Sequence, residues 1–122
     1  MIIAITSEEN KGLESLIGNH FGRCPFYIIV EVENEEVTSF EGIANPYAIS
    51  HQPGMVPEFI NKQNVDLVIS GGMGRRAIEA FHAYNIKVAT GASGTVKDTL
   101  KAYFDGNLQQ DAACKESIEH QG

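Results

Sequence analysis

The chain has no tryptophan, two cysteines and four prolines among its 122 residues, and its basic side chains are outnumbered by acidic ones. Each shortage excludes a class of protein. Cys24 and Cys114 stand ninety positions apart, which is not the disulfide framework of a small secreted domain. A reducing cytoplasm is therefore the expected compartment. Two thiols are also too few for an all-cysteine iron–sulfur centre within one chain. Nine Lys and Arg against 16 Asp and Glu leave a formal charge of −7. That balance lacks the positive stripe with which nucleic-acid binders displace counterions. No apolar run approaches the roughly 18 to 20 residues that a membrane span needs. The opening Met1-Ile2-Ile3-Ala4-Ile5 has no basic flank and no cleavage-type segment, so it reads as a strand and not a signal.

What is present is enough for one core. A domain of this size hides roughly two-thirds of its unfolded surface on folding, and 43% of the residues are hydrophobic. Residues 2–6 read as a first strand, and 8–25, with Gly12, Gly18 and Gly22, as a long polar loop. Phe26 to Val32 is a second strand, Asn34-Glu35 a tight turn, and Val37 to Ile43 the returning third. Three helical stripes follow: Val56, Phe59, Ile60 and Gln63; Ala77, Ala80, Phe81 and Tyr84; Val96, Leu100, Tyr103 and Phe104. Thr95-x-x-Asp98 approximates a capping box ahead of the last. Between the helices lie two short apolar runs, 65–69 and 86–89. They are introduced by Asn64 and Asn85, a residue suited to the left-handed position after a helix. The order is β-β-β-α-β-α-β-α. Residues 1–108 form the domain in this reading, and 109–122 a polar, flexible tail.

That order predicts where a ligand sits. Two hairpin connections make strands one and three parallel, and right-handed crossovers make strands four and five parallel to them. The segments leaving those strands, and the one entering strand two, meet at one sheet edge, where open α/β sheets bind ligands. Gathered there are His20-Phe21-Gly22-Arg23-Cys24-Pro25, Asn45-Pro46-Tyr47 with His51, Gly71-Gly72-Met73-Gly74-Arg75-Arg76, and Gly91-Ala92-Ser93-Gly94-Thr95. Two of these are glycine turns opening helices, where free N–H groups and the helix dipole favour an anion. Imidazole, thiol and guanidinium groups beside them suit a soft metal or an anion.

Each signal has a plainer reading. Gly72-x-Gly74-x-x-Ala77 matches a dinucleotide fingerprint, but the next strand ends Ala89-Thr90-Gly91, without the acidic ribose partner. A tight turn into a helix explains it equally well. His20 and His51 read as ligands or as solvated loop histidines. Cys24 reads as a thiolate ligand near Arg23 or as a buried inert thiol. Arg75 and Arg76 point about a hundred degrees apart on a helix, so one of them faces the pocket. His82 reads as structural, and Cys114 and His120 as surface residues of the tail. No nucleophile elbow, Walker loop, HExxH helix or carboxylate on strand one suggests catalysis.

With these segments in view, the chain resembles the dinitrogenase iron–molybdenum cofactor biosynthesis family, in its NifX-like and NifB C-terminal-like branch. His20-Phe21-Gly22-Arg23-Cys24-Pro25-Phe26-Tyr27, Asn45-Pro46, His51 with Gly54, Gly71 to Ala77, and Gly91 to Val96 carry the resemblance, over residues 1 to about 108. It implies a ribonuclease-H-like three-layer α/β fold with a five-stranded mixed sheet. It also implies a non-enzymatic carrier of an iron–sulfur, iron–molybdenum or molybdenum–copper sulfide cluster, the last as in the orange-protein branch, with cofactor-assembly proteins as partners. The radical-SAM portion with its cysteine triplet is missing, so cluster synthesis by that route is not expected. On this reading His20, Cys24 and His51 supply metal contacts. Arg23 and Arg75 or Arg76 balance charge, and Gly71, Gly72, Met73, Gly74, Gly91, Ser93 and Gly94 cradle the cluster. An interaction module with a small-anion pocket is the competing reading.

Overall fold

A computed structural model describes residues 1–48 and 54–110. Among the described residues the chain forms six strands and three α-helices. These are β1 (Ile2–Ser7), β2 (Phe26–Glu33), β3 (Glu36–Ala44), α1 (Met55–Asn61), β4 (Leu67–Ile69), α2 (Arg75–Ala83), β5 (Lys87–Thr90), α3 (Val96–Phe104) and β6 (Gln109–Gln110). The sheet runs β3-β2-β1-β4-β5-β6. Antiparallel pairing joins β1 to β2 and β2 to β3, whereas β4 lies parallel to both β1 and β5. The strand directions are those expected. The new fact is adjacency: the chain leaving β3 passes two strands before β4 docks beside β1.

The five-strand expectation needs correcting. Gln109 and Gln110 pair antiparallel with Thr90 and Ala89 and add a sixth strand. Both glutamines are exposed, so no apolar alternation marks them, and the pairing rests on backbone groups. This strand falls on the tail side of residue 108, and positions 111–122 lie outside the described residues.

Period-2 alternation places a core on each side of the sheet. Ile3 and Ile5 of β1, Ile28 and Val30 of β2, and Leu67 and Ile69 of β4 pack with Val96 and Leu100 of α3. On the other face Ala4, Tyr27, Val68 and Val88 meet Val56 and Ile60 of α1 and Phe81 of α2. The result is three layers, and β1 in the middle is buried on both faces, which explains its unbroken apolar run.

Local signals match the backbone. Asn64 and Asn85 have φ of 60° and 63°. Thr95 caps α3, accepting the Asp98 N–H while the Asp98 carboxylate accepts from the Thr95 N–H. The β2–β3 turn places Asn34 and Glu35 both at positive φ, 53° and 64°, so a two-residue primed turn forms here without glycine.

Candidate functional site

The ends of β1, β3, β4 and β5 and the start of β2 share one edge, because Ser7 faces Phe26, Phe26 faces Ala44, and Ile5 faces Ile69, itself opposite Ala89. The segment 8–25, read as a loop, is pinned to this edge. Bridges pair Ser7 with Ile17 and Leu16 with Thr95. Thr6 Oγ1 donates to the Gly18 carbonyl at 2.8 Å, and the Gly18 N–H returns to the Thr6 carbonyl at 2.9 Å. Phe21 is buried and packs edge-to-face on Phe81 of α2, with ring centroids 5.0 Å apart. Segment 19–23 is thereby held against the start of α2.

Glycine at 71 and 72 permits that approach. A Cβ at Gly71 would lie 3.0 Å from Asn19 Cα and 3.2 Å from the Gly18 carbonyl oxygen, and one at Gly72 would lie 3.3 Å from the Asn19 oxygen. All three neighbours are backbone atoms and cannot swing aside. At Gly74 a Cβ would meet nothing within 4 Å.

Between the two segments opens a cavity of about 600 Å³, within the usual range for small-ligand sites. His20, Phe21 and Arg23 line one wall, and Gly72, Met73, Gly74 and Arg76 the other. The backbone N–H groups of Gly72, Met73, Gly74, Arg76 and Ala77 have no acceptor among the described residues. Gly74 caps α2 without a side-chain hydrogen bond, and no acidic residue stands in the first turn. Two arginines stand there instead, the charge that a helix N-terminus disfavours unless an anion is present.

His20, Arg23, Gly72, Met73 and Gly74 of the expected set thus come together, and Asn19, Phe21, Gly22, Arg76 and Ala77 join them. Gly71 stands behind the wall, its N–H donating to the Gly18 carbonyl at 3.3 Å. Of the two arginines that the sequence leaves as alternatives, Arg75 does not line the cavity. Its Nε sits 3.6 Å from Glu79 one turn along α2, and Arg76 takes the cavity position.

Cys24 departs further from a ligand's position. It is 2% exposed, and its thiol lies 3.4 Å from the Phe21 carbonyl. Burial pushes its pKa from the ordinary 9.0 up to about 11, so the thiol stays protonated at neutral pH. Of its two readings the buried, inert one matches this geometry.

The second glycine turn is engaged by the protein through the N–H groups of Gly91 and Ala92 and the carbonyls of Ser93 and Gly94. Gly91 and Ala92 donate to the Gly71 and Ser70 carbonyls at 3.1 and 3.3 Å, and Val96 donates to the Ser15 carbonyl at 2.9 Å. The carbonyls of Gly94 and Ser93 accept from the Ile17 N–H and the Thr99 hydroxyl. Gly91, Ser93 and Gly94 therefore support the edge without lining the cavity. His51, Cys114 and His120 lie outside the described residues. Among the described residues no three His, Cys, Asp or Glu side chains gather into a metal site. The donor set fits a pre-formed anion held by N–H groups and positive charge better than a bare cation.

One residue that the sequence places at this edge without a role has a large part in it. Asn45 is buried and donates through Nδ2 to the carbonyls of Gly22 and Cys24. Its sequence signal was an asparagine directly before Pro46.

The structure is a three-layer α/β domain with a cavity at its carboxyl edge lined by His20, Arg23, Arg76 and glycine backbone, and comparison with known proteins gives its family. The chain belongs to the family described as dinitrogenase iron–molybdenum cofactor, whose model matches residues 1–106. The crystal structure of PH0822 is similar, with 36% identity and a TM-score of 0.77 over 89% of this chain and 95% of that one. The apo form of the orange protein from Desulfovibrio gigas is 26% identical, with a TM-score of 0.76, over 88% of this chain and 89% of its own. An uncharacterized protein from Methanocaldococcus jannaschii shares 28% identity over 90% of this chain and 91% of its own. No helix among the described residues is long and apolar enough to cross a membrane.

Proposed function

We propose that the protein is a non-enzymatic carrier for an anionic metal–sulfide cluster or iron–molybdenum cofactor precursor. The observation that carries this reading is the cavity lined by His20, Arg23 and Arg76 together with Gly72, Met73 and Gly74, whose N–H groups have no acceptor among the described residues. Such amides and guanidinium groups stabilise dispersed negative charge without covalent ligands. His20 supplies one imidazole for contact with the cargo, and Met73 gives the wall a soft thioether. Family membership supports the class of cargo and the choice of cofactor-assembly proteins as partners, in a cytoplasmic setting. The same reading takes residues 1–108 as the site-bearing unit and the three-layer order as ribonuclease-H-like.

Anaerobic reconstitution with molybdate, copper or iron and sulfide tests it. Retention of a sulfide-to-metal charge-transfer band through gel filtration, lost in Arg76→Glu, is the expected result. A protein that stays colourless and keeps its melting temperature in every mixture overturns it and favours an interaction module.

A further inference from the structure

The cavity wall formed by residues 20–24 is held from inside, and its fastening is a compact group of buried polar atoms. Asn45 is 6% exposed at the end of β3. Its Nδ2 donates to the Gly22 carbonyl at 3.1 Å and the Cys24 carbonyl at 2.9 Å, and its backbone N–H donates to the Pro25 carbonyl at 2.9 Å. Tyr27, fully buried, donates its hydroxyl to the Phe21 carbonyl at 2.7 Å. Four carbonyls of one short segment are thus accounted for on the core side. The remaining acceptor of Asn45, Oδ1, takes the Tyr47 N–H at 2.9 Å, fixing the start of the next edge segment.

We infer that Asn45 is the positioning residue of the cargo site: by turning the Gly22 and Cys24 carbonyls inward it holds His20 and Arg23 on the cavity side. Few side chains could replace it. The position requires two N–H donors and one acceptor on a stem one carbon long, which only an asparagine amide supplies. Aspartate would face two carbonyl oxygens with a carboxylate, and alanine would leave both carbonyls buried and unpaired. Tyr27 assists from the other end of the segment. Because Asn45 also anchors the chain at Tyr47, a displacement of one edge segment is transmitted to the other.

This inference rests on the carrier reading, and its test separates the two. Asn45→Ala and Tyr27→Phe are compared with the unaltered protein by residue-resolved amide hydrogen exchange without cargo, and by anaerobic titration with tetrathiomolybdate well below the melting temperature. Asn45→Ala is expected to speed exchange at Phe21 to Cys24 and to weaken tetrathiomolybdate binding, each about tenfold. Amides of β1 and α3 keep their protection. Tyr27→Phe, which loses the hydroxyl's bond to the Phe21 carbonyl and its 3.5 Å contact with Asn45 Nδ2 but leaves the ring in place, moves both in the same direction by about threefold. It carries the test if the alanine variant does not fold. A merely structural role would lower the melting temperature while leaving affinity of the folded protein unchanged. Exchange and affinity within twofold of the original in a folded variant overturn the inference. If the unaltered protein takes up no tetrathiomolybdate, the carrier reading falls, and hydrogen exchange still decides whether Asn45 orders the segment.

Discussion

The two glycine turns, Gly71 to Gly74 and Gly91 to Gly94, look alike in sequence and differ in how the fold caps the helices they open. Each follows a central strand and opens a nine-residue helix. At the second, Thr95 and Asp98 form a reciprocal cap, the Asp98 carboxylate sits at the positive end of α3, and the Gly91, Ala92 and Val96 N–H groups reach neighbouring carbonyls. At the first, the cap lacks a side chain, the first turn holds arginines, and the N–H groups of Gly72, Met73 and Gly74 beside the cavity have no acceptor among the described residues. A glycine-rich helix start is therefore not an anion site by composition. The first turn differs from the second in having neither a side-chain cap nor an acidic residue in the first turn of its helix.

The sharpest way to break this contrast is to give the first turn the charge of the second. Arg76→Glu should reduce affinity for an anionic metal sulfide by about a hundredfold, read by anaerobic titration. The cargo-free protein should meanwhile gain roughly 0.3–1 kcal/mol, since a carboxylate now meets the helix dipole. Simultaneous loss of affinity and gain of stability is what identifies a site kept unfavourable for its ligand.

The wall behind the first turn is probed by pH. Cys24 is neutral in the fold with a pKa near 11, against 9.0 when free of burial. A raised thiol pKa favours the folded state fully below pH 9, and that contribution is lost as pH rises from about 9 to 11. It is worth on the order of 2–3 kcal/mol. Denaturant midpoints across that window should fall for the original protein by more than for Cys24→Ala. Equal slopes would show that the thiol is not held in the core.

Substituting the glycines separates crowding from strain. Gly71→Ala should cost about 1–3 kcal/mol by forcing Asn19 and Gly18 backbone atoms away, and it should also weaken cargo uptake. Gly91→Ala should cost about 1–2 kcal/mol because φ there is +88°, with uptake unchanged. Thermal melts and titrations of both variants check the pair.

The smallest effect comes from exchanging caps. Thr95→Ala should destabilise by about 1 kcal/mol, and Gly74→Ser should stabilise by a few tenths. The serine hydroxyl then satisfies an amide meant for cargo, so affinity should fall while the melting temperature rises slightly.

Much of the scaffold is legible in the sequence because local chemistry dictates it. Asn64 and Asn85 mark left-handed exits from helices, Thr95 with Asp98 marks a helix start, and the apolar run of β1 marks a strand buried on both faces. What is not legible depends on partners distant in the chain. The docking of β4 beside β1 follows from two filled cores, and no single segment announces it. Gln109 and Gln110 join the sheet through backbone groups alone. Whether Arg75 or Arg76 faces the cavity turns on Glu79 capturing the first, and the inertness of Cys24 on its burial among Phe21, Tyr27 and the sheet. Asn45 was visible as a residue, but its role appears only once the carbonyls of Gly22 and Cys24 are placed within its reach.

The most direct measurement is an amide NMR titration of the protein with tetrathiomolybdate under anaerobic conditions. The largest shifts are expected at Gly72, Met73, Gly74 and Arg76, accompanied by His20 and Arg23, with Gly91 to Thr95 nearly silent. Shifts centred on Gly91 to Thr95, or none at saturating ligand, would contradict this.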